Sequence, residues 1–94
     1  MRSFNRVKHM QFAPISIDKY VAKYLAANHG ADANDLRRRL SEALQAHLAG
    51  KRCECGQPIW VVGSADAGHA CFACITGEPV PDEDYEIDQA MGNT

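Results

Sequence analysis

Four cysteines fall in two close pairs, Cys53 with Cys55 and Cys71 with Cys74, with fifteen residues between the pairs. A fold that uses them together needs two tight backbone loops, brought face to face by the intervening chain. Zinc takes four thiolates tetrahedrally at about 2.3 Å, so the pattern reads as a closed metal site with Cys53, Cys55, Cys71 and Cys74 as ligands. A chain of 94 residues forms one domain, or a domain with an appendage, and hydrophobic burial alone leaves it little margin of stability. A staple is expected. The half beginning at Cys53 needs it more, since its large apolar side chains are few: Ile59, Trp60, Val61, Val62, Phe72, Ile75, Val80 and Tyr85.

The beginning of the sequence mixes Arg2, Arg6, Lys8 and His9 among apolar residues, unlike a signal peptide, and no apolar run approaches membrane-spanning length. A cytoplasmic location is expected. In a reducing compartment closely spaced cysteines serve better as metal ligands than as disulfides, and a Cys53–Cys55 bridge would close an awkwardly small ring. Zn²⁺ is the expected cofactor. Four thiolates also suit an iron centre, but zinc needs no redox partner.

Residues 1–14 show no sustained period, although Val7 to Phe12 has the composition of a short strand. From Pro14 the signals sharpen. Ser16 is a cap, Asp18 suits the first turn, Ile17, Val21, Tyr24 and Leu25 share one helical face, and Asn28-His29-Gly30 is a stop. A second helix starts at Asp32 or Asn34, carries Leu36, Leu40, Leu44 and Leu48 at four-residue spacing, and ends at Gly50. The expected organisation is a helical segment over 1–50, with helices at about 16–29 and 34–49, a cysteine module over 51–78 and an acidic tail over 79–94. The fold class is α+β, a helical pair followed by a small four-cysteine β-hairpin.

That hairpin follows from local chemistry. Gly56 lets the chain turn after Cys55, Pro58 stiffens the exit, and Ile59 to Val62 is β-branched and aromatic like a strand. Gly63 to Gly68 is the turn, and His69 to Ala73 returns to the second pair. Two cysteine loops joined this way resemble the zinc-ribbon family over residues 53–77. The first loop is Cys-x-Cys where that family has Cys-x-x-Cys followed by Gly, which shortens the bite. The alternative is the treble-clef family, in which the second pair opens a helix; Gly77, Pro79 and Pro81 keep any helix there short. Both families serve in nucleic-acid binding, in protein binding and as struts, so the resemblance implies a metal more than a task.

Charge is unevenly spread. All ten Lys and Arg lie in residues 1–52 against four acids, giving +6, while residues 53–94 carry eight acids and no Lys or Arg, giving −8. The halves attract one another, or the basic half meets an anionic partner. Arg37, Arg38 and Arg39 near the start of the second helix are the residues a nucleic acid would meet, although successive helical positions diverge by about 100° and make no single stripe. His9, His29 and His47 lack metal-ligand spacing, with His29 suited to a helix end, and His69 is read as an outer-shell or outward-facing residue beside the site. The tail, Glu78 to Asp88, holds six carboxylates and reads as loosely attached, except that Tyr85 and Ile87 alternate with acids like an edge strand.

A four-thiolate shell has no open position for water or substrate, and the sequence shows no nucleophile motif or phosphate loop. The expectation is a small non-enzymatic zinc-binding protein. Its metal is structural, and its surfaces, among them Trp60 and Val62, Arg37 to Arg39 and the tail, meet a macromolecule, a protein in preference to a nucleic acid. The alternatives are a nucleic-acid-binding regulator and a redox or metal-delivery protein.

Overall fold

The two best-marked helices form where their caps place them in the structure, a computed structural model that describes residues 11–92. Helix α1 spans Ile17–Ala27, with Ser16 accepting the Lys19 N–H as its N-cap. Helix α2 spans Ala33–Leu48, with Asp32 accepting from the Asn34 and Asp35 amides. Leu36, Leu40, Ala43 and Leu44 are buried on α2, while Leu48, expected on the same stripe, is 56% exposed. Val21 is the buried anchor of α1.

The segment between the cysteine pairs differs from the expected hairpin. Val61–Ala67 is a helix, α3, and Phe72–Thr76 is a single-turn helix, α4, in place of the two strands expected over Ile59 to Val62 and His69 to Ala73. The reason lies in packing. Val61, Val62 and Ala65 fall on one helical face and are buried with Leu36, Leu40 and Ala43 of α2, so the tertiary context overrides the β preference of a valine pair. Val62, expected to be exposed, is therefore a core residue, and Trp60 is half-buried at the start of α3.

The tail is an integral element. Strand β1, Ala13–Ile15, pairs in parallel with β2, Tyr85–Ile87, with Ala13 opposite Tyr85 and Ile15 opposite Ile87. The tail thus pairs with the early chain rather than with a hairpin, and a 3₁₀ turn over Asp88–Met91 follows. Glu86 and Ile87, on opposite faces of β2, are both buried, while Tyr85 is 38% exposed. The core joins Ile15, Val21, Leu36, Leu40, Leu44, Val61, Val62 and Ile87, so helices, cysteine segment and tail all contribute to it. The strand composition of Val7 to Phe12 lies largely outside the described residues.

Candidate metal centre

The first cysteine loop is a tight reversal. Arg52 and Pro58 form an antiparallel bridge, the Cys53 N–H donates to the Gln57 carbonyl at 2.8 Å, and the Gly56 N–H donates to the Cys53 carbonyl at 2.8 Å. Gly56 has φ +97°, a conformation that an L side chain rarely adopts, so glycine here sets the bend. The second loop is the start of α4: Cys71 is its N-cap, Cys74 lies in its turn, and Gly77 closes it in the left-handed conformation. A cysteine pair that opens a short helix is the feature by which the treble clef was distinguished above.

The second loop is anchored to α3 by Ser64, which is buried. Its hydroxyl donates to the Ala70 carbonyl at 3.1 Å and accepts the Ala70 N–H at 3.2 Å, while the Trp60 N–H donates to the same carbonyl at 2.9 Å. Ala70 is thereby pinned to α3 immediately before Cys71. All four sulfurs lie within 4.8 Å of one another, and the Cys55 and Cys71 sulfurs approach to 3.4 Å. Tetrahedral zinc with bonds of about 2.3 Å separates its sulfurs by about 3.8 Å, so the spacing fits the ion. Cys53 and Cys71 are buried; Cys55 and Cys74 are exposed.

The electrostatics fit a cation as well. Backbone N–H groups of Cys55 and Cys71, with help from neighbouring sulfurs, pull the Cys53 thiol down to about 6. Cys55 and Cys74 move the other way, since like charges so close oppose one another. Sulfurs of Cys53, Cys71 and Cys55 push Cys74 up to about 12. At Cys55 the Gln57 N–H lowers the thiol, but the Cys71 and Cys53 sulfurs outweigh it and the net shift is upward. A dication among the four sulfurs removes this conflict, which is why the donor set suits a metal better than four independent thiols.

Comparison with known proteins returns nothing similar. No protein-family model matches the chain, and neither a curated protein nor a solved structure matches it significantly. The four cysteines support metal binding, with zinc plausible on donor chemistry.

The remaining candidates are placed differently. His69 is exposed and contributes no atom to the cluster. His29 caps α1 through the Ala26 carbonyl. His47 does more than expected, since its Nδ1 lies 2.9 Å from the Ile59 carbonyl and ties α2 to the segment between Cys55 and α3. Arg37 pairs with Asp18; Arg38 pairs with Asp35 at 2.6 Å and Glu42 at 3.2 Å; Arg39 pairs with Asp35 at 2.9 Å and donates to the Ala65 carbonyl at 2.6 Å. These arginines are engaged with carboxylates and carbonyls of the chain. Arg38 and Arg39 hold the Asp35 carboxyl below its ordinary value.

Glu86 is the residue that sequence reasoning missed. It is 3% exposed, and its carboxylate accepts from the Val61 N–H at 2.9 Å, the Val62 N–H at 3.2 Å and its neighbour Ile87 N–H at 2.9 Å. It caps α3 from 25 positions away, a task that local sequence at Trp60 leaves undone. Burial raises its carboxyl above the ordinary range, against the opposing pull of these N–H groups.

Proposed function

We propose that this chain is a small non-enzymatic zinc-binding protein whose metal is structural and whose folded surface serves a protein partner. The observation that carries the reading is the convergence of Cys53, Cys55, Cys71 and Cys74 from two separate loops to within 4.8 Å. Four thiolates saturate a tetrahedral zinc ion and leave no open position for water or substrate, which favours a structural role over a catalytic one. For partner binding the support is the exposure of the large apolar side chains Leu48, Val80, Tyr85 and Met91. The same helices that would offer Arg37, Arg38 and Arg39 to a nucleic acid also supply Asp18, Asp35 and Glu42, with which those arginines pair.

Metal analysis of the purified protein, with circular dichroism before and after chelation, tests this reading. One zinc per chain and loss of helical signal on chelation are expected. A chain that stays folded without metal removes the structural role. A metal-delivery reading has one observation in its favour, the exposure of Cys55 and Cys74. Transfer of zinc to a chromophoric chelator within seconds would favour delivery, and slow transfer with thiols inert to alkylation would exclude it.

A further inference from the structure

A cavity of about 560 Å³ opens between the start of α3, α4 and the tail, on the face of the molecule beside Cys71. That volume is in the range of small-molecule sites. Three aromatic rings line it and touch one another. Phe12 stacks on Trp60 at 5.9 Å between centroids, and Phe72 meets Phe12 edge-on at 5.5 Å and Trp60 at 4.9 Å. The Trp60 indole is fixed by its Nε1–H, which donates to the Tyr85 carbonyl at 2.8 Å.

The ionisable side chains that line this cavity are Glu86, His47 and Cys71, and the carboxylate is the acidic one free of the cysteine cluster. Glu86 contributes a carboxylate with three backbone donors, which leaves further lone-pair capacity on its two oxygens. His47 lines the same cavity and is fixed there by its Nδ1–H, which donates to the Ile59 carbonyl. No Lys or Arg is among the described residues that line it, and the half of the chain from Cys53 onward contains none. Aromatic faces and a buried carboxylate together complement a group that is cationic, donates hydrogen bonds and sits on an apolar body.

We propose that this cavity is a binding site for a small primary ammonium ion carrying an apolar or aromatic body. The body lies against Phe12, Trp60 and Phe72, and the ammonium group donates to Glu86. The inference is independent of what the metal does, apart from requiring the folded, zinc-loaded chain.

Trp60 is the sole tryptophan and reports occupancy directly. Phenethylamine, titrated into the full zinc-loaded chain, should change its fluorescence saturably, with a Kd of about 1 mM or tighter. 3-Phenylpropionate and 2-phenylethanol, which keep the ring without the cation, should bind at least about tenfold more weakly. Glu86→Gln should weaken phenethylamine by a similar factor. Because that variant also touches the α3 cap, Ala73→Phe provides a second test. Ala73 is exposed on α4 at the cavity wall, so the added ring should block binding while leaving the circular dichroism unchanged. Absence of saturable change with phenethylamine overturns the proposal, as does equal binding of the anion or the alcohol, or undiminished binding by folded Ala73→Phe.

Discussion

Glu86 brings a carboxylate into a place where most carboxylates are unstable, and three backbone donors are what make it tolerable there. Replacing it with glutamine keeps the shape but sets an amide N–H₂ against at least one of those donors. Glu86→Gln should therefore cost about 1–3 kcal/mol in urea denaturation. The pH dependence has a definite sign. Burial raises the Glu86 carboxyl above its ordinary 4.5, so the folded chain holds this proton more tightly than the unfolded chain. The resulting stabilisation is full below the ordinary value and is lost as pH rises through the raised one. At fixed excess zinc, the stability gap between the native chain and Glu86→Gln should narrow as pH rises from the carboxylate range toward neutrality; a gap that widens would contradict the burial account. Gly63 makes a second point at this scale. A Cβ there would run into the Trp60 ring, which its bond to Tyr85 and its contact with Phe72 prevent from moving aside. Alanine is ordinarily the better helix former by about 1 kcal/mol, yet Gly63→Ala should destabilise by about 1–3 kcal/mol and shift the tryptophan emission.

Among the elements, α1 and α2 were legible because their signals are local: Ser16 and Asp32 cap the helices they precede, and the apolar spacing lies within one window. Asp32→Ala should cost about 1 kcal/mol by thermal denaturation and leave the zinc content unchanged. The cysteine cluster was legible too, since spacing alone placed four sulfurs that the fold brings together. Helix α3 was not. A Val61-Val62 pair before a glycine reads as a strand, and the groups that make it a helix are the α2 leucines it packs on and a carboxylate 25 positions downstream. The tail was misread for a related reason: the alternation at Tyr85 and Ile87 was visible, but the strand it joins lies some seventy residues earlier. Helix α4 has five residues, too few to persist unaided. Its order should depend on the metal, so chelation ought to release amide exchange protection at Phe72–Thr76 before that of α2.

Taken whole, the molecule has a core built from both its basic and its acidic halves, with Ile15 and Ile87 meeting across the sheet. A chain ending at residue 78 would lose Ile87 from the core and the carboxylate from α3. It is expected to show collapsed proton-NMR dispersion even with zinc in excess, whereas an independent cysteine module would keep its dispersed signals. The parallel pairing of β1 with β2 also sets a schedule. At translation rates of about 5–20 residues per second, β1 leaves the ribosome several seconds before its partner strand exists. The valine pair of α3 is made within that interval and, until residue 87 follows, has neither its distant cap nor the lid of Ile87. Of the described elements, the strand made later is thus the one that covers a core begun some seventy residues earlier.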